Sequence, residues 1–346
     1  MVDLIIAGGG PAGLATAICA TQAGFTATII EPRQGVIDKA CGEGLMPPAL
    51  MSLRRMGVAI PTGYPFLGIR YVDGKRHAQG HFAAGPGRGV RRAELHAALI
   101  ERARELGVSW VHGRVNAFQQ DESGVTVAGL RARWLVAADG LHSPIRRQLG
   151  LALPARHPAR YGVRRHYAIA PWSEYIEVHL AAGAEAYVTP VADNQVGVAV
   201  LFSGKGRFDS VVQGFPELAA RLSAPCGPTK GGGPFERRVK RRVVGRVFLV
   251  GDAAGFVDPL TGEGVQLAFT AAQALADCLR AGRPAAYERA WRRLFWRYNW
   301  MTNALLRTRR NRTLSNVLVP TLARAPWLFD AALDVLANVP KDLRAP

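Results

Sequence analysis

The feature that most constrains the fold of this chain is a glycine-rich turn close to its first residue. A short apolar run at residues 4–7 leads into the segment GGGPAG at residues 8–13, and small and apolar residues continue to residue 23. A second apolar run begins at residue 26 and ends at Glu31. This order of strand, glycine turn, helix, strand and acidic residue is typical of a βαβ unit that binds a dinucleotide.

Each residue of the turn has a physical role in that interpretation. Gly8 permits the tight turn, Gly10 lets the backbone approach a pyrophosphate, and Gly13 lets the helix pack closely on the sheet. The N-terminus of the helix favours the negative charge of the phosphates. Glu31 would accept hydrogen bonds from an adenosine ribose, and Arg33 is a further candidate on the adenosine side. The candidate phosphate-binding residues are Gly8, Gly10, Pro11, Ala12 and Gly13.

Two later segments indicate which dinucleotide is bound. Residues 134–146 read WLVAADGLHSPIR, with Asp139 near their centre, and residues 251–255 read GDAAG, followed by Pro259. The first segment resembles the D-G motif of single-domain flavoprotein hydroxylases, and the second resembles their G-D motif. Together with the glycine turn, the motifs resemble the superfamily that includes para-hydroxybenzoate hydroxylase and geranylgeranyl reductase, over about residues 1–340. The resemblance implies that the cofactor is FAD.

The resemblance also implies roles for residues outside the glycine turn. Asp252 would accept hydrogen bonds from the ribityl hydroxyls or lie near the pyrophosphate; an ordinary turn aspartate is the alternative. Arg92 matches an arginine that reaches the phosphates or the ribityl chain, and a solvated first-turn arginine is the alternative. The helix that starts near residue 262 would direct its positive end at the flavin. The residues assigned to the cofactor in this way are Cys41, Gly42, Arg92, Asp139, Gly251, Asp252, Pro259, Gly262, Gly264 and Val265.

The segment CGEG at residues 41–44 resembles the C-G-G-G loop of geranylgeranyl reductases, with Glu43 in place of a glycine. Cys41 is a candidate nucleophile or flavin neighbour, and a small packing residue is the alternative. Arg164, Arg165 and His166 could meet a nicotinamide phosphate or an acidic substrate; exposed strand arginines that bind nothing are the alternative. The catalytic residues stay unassigned, with Cys41, Glu43 and His166 as candidates. No metal-binding pattern is present, and we expect no metal.

Two reactions are compatible with these motifs. The first hypothesis is an FAD-dependent monooxygenase that uses NAD(P)H and oxygen to hydroxylate a hydrophobic, aromatic or polyketide-like small molecule. The alternative is a reductase of isoprenoid carbon–carbon double bonds, which the CGEG loop and the segment at residues 251–267 favour. The P-x-Y-x-W-x-F-P stretch that such reductases use to hold a prenyl chain is missing. A second G-x-G-x-x-G is also missing, so we expect NAD(P)H to bind transiently rather than in a separate domain.

Positive charge suggests a third, weaker hypothesis. Lysine and arginine total 44 against 26 acidic residues, a formal charge of +18, and only six of the 44 are lysine. Nucleic-acid binding is disfavoured, because the chain contains no recognition motif and its arginines do not alternate with stacking aromatics. The densest basic block, residues 284–312, has an aromatic stripe at helical spacing. Peripheral membrane contact through this block is one interpretation; packing of the stripe on the flavin domain, with a solvated arginine face, is the other.

The sequence therefore predicts an α/β fold with an inserted antiparallel sheet and a helical tail. We expect a discontinuous, Rossmann-like FAD-binding domain at residues 1–150 and 236–283, a substrate domain at residues 151–235, and a helical region at residues 284–346, broken at Pro320 and Pro326. We expect no secretory leader, no transmembrane helix and no disulfide framework, and therefore a cytoplasmic protein, with the membrane contact left open. The sequence leaves the oligomeric state open.

Overall fold

A computed structural model describes residues 1–204 and 206–337 of the chain. Its helices are α1 (Pro11–Gln22), α2 (Pro47–Arg55), α3 (Arg92–Glu105), α4 (Pro144–Gln148), α5 (Phe208–Val212), α6 (Pro216–Ala219), α7 (Gly264–Arg280), α8 (Tyr287–Arg310), α9 (Arg312–Arg324) and α10 (Pro326–Ala337), with 3₁₀ turns at Gly251–Ala254, Pro259–Thr261 and Pro284–Ala286.

The strands, in chain order, are β1 (Val2–Ala7), β2 (Ala27–Glu31), β3 (Gly44–Leu45), β4 (Tyr64–Phe66), β5 (Gly68–Asp73), β6 (Arg76–His81), β7 (Gly87–Gly89), β8 (Ser109–His112), β9 (Phe118–Gln120), β10 (Val125–Val127), β11 (Leu130–Ala137), β12 (Ala152–Leu153), β13 (Arg160–Tyr167), β14 (Tyr175–Ala181), β15 (Ala184–Ala192), β16 (Gln195–Ser203), β17 (Pro225–Gly232), β18 (Arg238–Val239), β19 (Val243–Val244) and β20 (Val247–Leu249).

The first sheet carries the predicted nucleotide-binding unit. Its main path runs β19–β20–β11–β1–β2–β8, and every neighbouring pair from β20 to β8 is parallel. Leu4, Ile5 and Ile6 of β1 have no exposed surface, as expected for a strand that is covered on both faces. Helices α1 and α7 pack against each other and enclose the first hydrophobic core with this sheet. The loops that follow β1, β2, β11 and β20 consequently meet at one sheet edge.

The second sheet has the order β17–β13–β16–β15–β14–β5–β6 and is antiparallel except where β14 pairs with β5. Strands β13 to β16 correspond to the predicted inserted sheet. The hairpin β5–β6, which turns after Asp73, lies in this second sheet and not with the first. The glycine-rich stretch near residue 231 is part of the edge strand β17. The α/β class with an inserted sheet and a helical tail is confirmed.

The tail consists of α8, α9 and α10. Tyr287, Trp291, Phe295 and Tyr298 of α8 belong to the first core, so the aromatic stripe packs on the nucleotide-binding domain. The predicted break at Pro320 is wrong, because Pro320 lies inside α9. The chain breaks instead between α8 and α9, where the Asn311 side chain caps α9. A break precedes Pro326 as predicted, and residues 338–346 lie outside the described residues.

Among residues 1–204 and 206–337, no helix combines the length and apolar character needed to cross a bilayer.

Candidate functional site

The glycine turn packs tightly on two sides and is open on the third. A Cβ atom at Gly13 would lie 1.9 Å from the carbonyl oxygen of Gly8, and one at Gly8 would lie 2.5 Å from the carbonyl oxygen of Ala138. Gly8 also has a φ of 105°, which favours glycine. A Cβ atom at Gly10 would meet nothing within 4 Å. Gly10 therefore borders the space in which a pyrophosphate would lie against α1.

The acidic residue at the end of β2 is held against this turn. The amide of Gly9 donates to Glu31 Oε2 at 2.8 Å, and Nε of Arg33 donates to Glu31 Oε1 at 2.8 Å. Burial alone would raise the pKa of Glu31, but these hydrogen bonds outweigh it and hold the pKa below its ordinary value. Glu31 is thus an ionised acceptor at the predicted ribose position. Arg33, which is largely exposed, binds Glu31 itself.

The two downstream motifs meet the turn at the same sheet edge. A Cβ atom at Gly251 would lie 2.6 Å from the Ala12 Cβ atom at the start of α1. The buried Arg146 joins both motifs, because its NH1 donates to the carbonyl oxygens of Asp252 and Ala253, each at 3.1 Å. Arg146 closes the D-G motif in the sequence and is a site residue that the motifs alone do not identify.

Two carboxylates, those of Asp139 and Asp252, lie at this sheet edge after β11 and β20. Asp139 Oδ2 accepts from the amide of Ile145 at 3.3 Å, whereas Asp139 Oδ1 is buried and lacks a partner in the described part of the chain. Burial raises the pKa of Asp139 and that of Asp252. For Asp252, the charges of Lys39, Arg146 and Arg237 oppose the increase.

Helix α3 contributes a residue that the sequence prediction missed. Nε2 of His96 lies 2.7 Å from the carbonyl oxygen of Gly9, and the amide of Ile37 donates to His96 Nδ1 at 3.0 Å. A carbonyl oxygen can only accept, so Nε2 carries the proton and Nδ1 does not. His96 therefore connects the glycine turn to the loop before Cys41 as a neutral ring. Its position four residues after Arg92, on the same helix face, is the signal that could have identified it.

Protonation of His96 makes the stability of the folded protein depend on pH. Burial lowers the pKa of His96 from its ordinary 6.5 to about 4, despite the opposing bond to Gly9. A lowered folded-state pKa means that protons favour the unfolded chain, so this contribution to stability is complete above pH 6.5 and is lost as the pH falls towards 4. We expect the free energy of unfolding of the wild type, measured with urea, to fall by about 3 kcal/mol across that range through His96.

His96→Gln should be less stable at neutral pH and should lack this component of the pH dependence. His112 is exposed at the end of β8, so His112→Gln should keep the wild-type profile. An unchanged pH profile in His96→Gln would contradict the assignment.

Arg92 begins α3 and lies inside the protein, 5% exposed, so it is not the solvated first-turn arginine of the alternative interpretation. Its NH1 lies 3.5 Å from the carbonyl oxygen of Ile37. Burial lowers the pKa of Arg92, against the opposing charges of Asp38 and Glu43. The structure brings Arg92 to the CGEG loop, and its role toward the cofactor remains a prediction.

The CGEG loop has an unusual backbone at Glu43. This residue has a φ of 61°, a conformation in which glycine is common and a non-glycine residue is rare. Its side chain compensates by binding two neighbours: the amide of Arg92 donates to Oε1 at 2.9 Å, and His166 Nε2 lies 2.6 Å from Oε2. A Cβ atom at Gly197 of β16 would lie 2.8 Å from Oε2. A glycine is therefore needed on the second sheet to admit this carboxylate.

A buried chain of polar groups continues from Glu43. Arg164 NH1 donates to His166 Nδ1 at 2.9 Å, and Arg164 NH2 donates to Asp38 Oδ1 at 2.5 Å. Arginine cannot accept, so Nδ1 is the acceptor and the His166 Nε2 proton points at Glu43. Arg164 and His166 are each 1% exposed. Arg164 therefore departs from the interpretation as an exposed strand arginine, whereas Arg165 pairs with Asp209 on the outer side.

Cys41 lies beside this chain. The amide of Glu43 lies 3.4 Å from the Cys41 sulfur, in a weak hydrogen bond. Burial raises the pKa of the Cys41 thiol, and the positive charge of Arg92 opposes the increase only in part. The thiol is consequently protonated at neutral pH. The carbonyl oxygen of Gly42 accepts from the Thr189 hydroxyl at 2.7 Å, which fixes the loop to the second sheet.

The start of α7 closes the other side of the loop. Gly262 has a φ of 74°, and a Cβ atom there would lie 3.4 Å from Met46 Cε. A small cavity between residues 44–49 and α7 is lined by Glu263 and Val265, among others. Glu263 was not predicted as a site residue. It is 5% exposed, its Oε2 has no hydrogen-bond partner in the part of the chain that the structure describes, and burial raises its pKa to about 8.

These residues fit FAD. The open face of Gly10 admits a pyrophosphate at the N-terminus of α1, and the ionised Glu31 is an acceptor for ribose hydroxyls. The unpartnered Asp139 Oδ1 can accept a further hydrogen bond from the cofactor. Gly262 and Val265 line the small cavity together with Gly44 of the CGEG loop, while Pro259 begins the preceding 3₁₀ turn and Gly264 begins α7. The individual contacts of these residues with FAD remain predictions.

Comparison with known proteins agrees with this fit. The FAD binding domain family matches residues 1–177. Menaquinone reductase of Mycolicibacterium smegmatis is 27% identical over 328 residues, covering 84% of this chain and 79% of that protein. Digeranylgeranylglycerophospholipid reductase 1 of Methanopyrus kandleri is 29% identical over 302 residues, covering 77% of each.

Two further comparisons differ in how much of this chain they cover. A 3-(3-hydroxy-phenyl)propionate/3-hydroxycinnamic acid hydroxylase of a Mycobacterium species is 32% identical over 170 residues, covering 43% of this chain and 30% of that protein. The structure of a flavoprotein/dehydrogenase from Cytophaga hutchinsonii shares the fold, with a TM-score of 0.84 and 19% identity over 97% of this chain and 92% of that one. The chain thus belongs to the FAD binding domain family and is an FAD-dependent oxidoreductase.

Proposed function

We propose that this chain is a reductase that saturates a carbon–carbon double bond of an isoprenoid lipid. The observation that carries the proposal is how much of this chain is similar to the reductases and how much is similar to the hydroxylase. The similarity to the two reductases named above spans 84% and 77% of this chain, and that to the hydroxylase spans 43%. Both reductases are named for lipids that carry isoprenoid chains. This order reverses the ranking of the two reactions that the sequence motifs alone suggested.

The protonation state of Cys41 supports the same reaction. Saturation of a double bond adds a hydride to one carbon and a proton to its neighbour. Reduced FAD, when bound, supplies the hydride. The half-buried thiol of Cys41 is protonated at neutral pH, so it carries a proton that it could donate and is not present as an attacking thiolate. The proposed source of the reducing equivalents is NAD(P)H.

The other residues of the loop would act by holding it in place. Glu43 keeps the left-handed turn through its bonds to Arg92 and His166, and Arg164 completes the buried chain to Asp38. The N-terminus of α7 and the loop would limit the access of water to the small cavity between them. A protonated Cys41 thus stays oriented by groups from helix α3 and from the second sheet.

We expect the purified, flavin-loaded protein, reduced without oxygen, to convert geranylgeraniol or a menaquinone in detergent micelles to a product that has gained two hydrogen atoms. Mass spectrometry of the lipid measures this directly. Cys41→Ser should keep its FAD and lose about 100-fold or more in rate, because the proposed proton donor is removed. Cys226 lies in the edge strand β17, so Cys226→Ser should retain the wild-type rate.

Hydroxylation is the second candidate, since the hydroxylase relative has the highest identity of the three, 32%. It requires oxygen and inserts one oxygen atom into the product. Incorporation of isotope-labelled oxygen into either lipid, with no saturation under anaerobic conditions, would replace the reductase proposal by this one. Failure to convert either lipid would contradict the isoprenoid assignment.

A further inference from the structure

Helix α8 exposes two tryptophans on the side that faces away from the first core. Trp296 is 57% exposed and Trp300 is 67% exposed, whereas Trp291 and Phe295 of the same helix are buried. Two large apolar side chains exposed on one side of a helix leave apolar surface in contact with water, which is unfavourable. Tryptophan concentrates where an apolar environment meets a polar one, as in the headgroup region of a bilayer.

Arginines share the exposed face of α8. With 3.6 residues per turn, Arg289, Arg293 and Arg307 fall on the same side as the two tryptophans, and all three are exposed. The single acidic residue within 284–312 is Glu288. It is occupied by ion pairs to Arg242 and Arg292. This face therefore combines positive charge with exposed aromatic side chains. Its charge is complementary to that of an anionic surface.

Further exposed apolar side chains lie on the next two helices, which contact α8 and each other. Leu314 and Val317 of α9 are 48% and 49% exposed, and Trp327 and Leu328 of α10 are 67% and 37% exposed. The opposite sides of α9 and α10 pack against the second sheet at β5 and β6. At its end, α8 is fixed by Arg309, whose NH2 donates to the carbonyl oxygen of Ala181 at 2.7 Å. The exposed side chains thus stand on an anchored scaffold.

We infer that the exposed face of α8–α10 docks on an anionic lipid membrane. Trp296 and Trp300 would enter the headgroup region, and the arginines beside them would pair with anionic lipid headgroups. A helix with tryptophan and arginine on its outer face binds parallel to the bilayer surface, with a strength set by apolar area and charge together. The inference concerns binding alone and does not depend on which reaction the protein catalyses.

The test is flotation of the flavin-loaded protein with vesicles of phosphatidylcholine alone or mixed equally with phosphatidylglycerol. We expect binding to the mixed vesicles at about 0.05 M salt, and a loss of about ten-fold or more at about 0.5 M salt or on neutral vesicles. Trp296→Ser with Trp300→Ser should reduce binding about ten-fold, because the insertion is removed. Arg293→Glu with Arg307→Glu should reduce it by about 30-fold or more. Both double variants should keep their FAD absorbance.

Arg54 and Arg55 provide the matched control, because they are exposed at the end of α2. Arg54→Glu with Arg55→Glu changes the net charge by the same amount and should keep binding within about two-fold. An equal loss in this control would overturn the inference, since net charge and not this face would then govern binding. Absence of binding to the mixed vesicles at low salt would also overturn it. So would conversion of an oligomer to a monomer by the tryptophan variant with vesicle binding unchanged, because a second copy would then cover the face.

Discussion

Gly10→Ala is expected to leave the protein folded and to weaken FAD binding by about 10- to 100-fold. A Cβ atom at this position meets no protein atom within 4 Å, and the backbone, with φ −75° and ψ −179°, suits any residue. The added methyl group would instead enter the space of the pyrophosphate, where overpacking costs about 1–3 kcal/mol. Fluorescence titration of FAD into protein freed of flavin measures the affinity, and circular dichroism measures the fold.

Gly13→Ala should behave differently, which makes the pair informative. Its Cβ atom would lie 1.9 Å from a backbone oxygen of Gly8, so the clash strains the protein itself and should lower its thermal stability as well as its flavin content. Gly113 is the control position: a Cβ atom there would meet only Ile30 Cγ2, at 3.9 Å. Gly113→Ala should therefore match the wild type in both measurements. Wild-type FAD affinity in Gly10→Ala would contradict the pyrophosphate assignment.

The parts of the fold that the sequence predicted are those with local signals. The apolar run of β1, the glycine turn and α1 lie within 22 residues, so periodicity and glycine spacing are sufficient. The aromatic stripe of α8 is similarly local, and the alternative that places Tyr287 and Trp291 in the first core agrees with the structure. The exposed Trp296 and Trp300 nevertheless keep the membrane interpretation of the same helix as a proposal.

Non-local pairing explains what the sequence could not predict. Strand β5 pairs in parallel with β14, with Gly68 opposite Tyr175, and no feature of either strand states its partner. Pro320 shows a different limit: tertiary packing of α9, with Val319 fully buried beside it, overrides the expectation that proline ends a helix.

The same limit applies to the site. Cys41, Glu43 and His166 could be chosen from motifs and residue types, but the bond between Glu43 and His166 joins residues 123 apart. It depends on the register of β13 against β16, which places His166 opposite Gly197. Glu43 stands where the C-G-G-G loop of geranylgeranyl reductases has a glycine. Its side chain has partners that offset the cost of the left-handed backbone. A sequence shows the departure but not the compensation.

Glu263 provides the largest pH effect that we expect. Burial raises the pKa of Glu263 from its ordinary 4.5 to about 8. The folded protein thus holds a proton that the unfolded chain releases, so this contribution to stability is complete below pH 4.5 and is lost as the pH rises towards 8. The loss in the free energy of unfolding is on the order of 5 kcal/mol. Urea unfolding of the flavin-loaded protein at saturating FAD, repeated across this pH range, measures it.

Glu263→Gln isolates the effect, because glutamine has the shape of the protonated acid and cannot ionise. The variant should be as stable as the wild type in mild acid and more stable than it at pH values above 8. Glu122 is exposed in the turn before β10, and Glu122→Gln should follow the wild-type curve throughout. If wild type and Glu263→Gln lost stability in parallel, Glu263 would be ionised in the folded protein. Its unpartnered oxygen would then need a cation or a hydrogen-bond donor beside the α7 N-terminus.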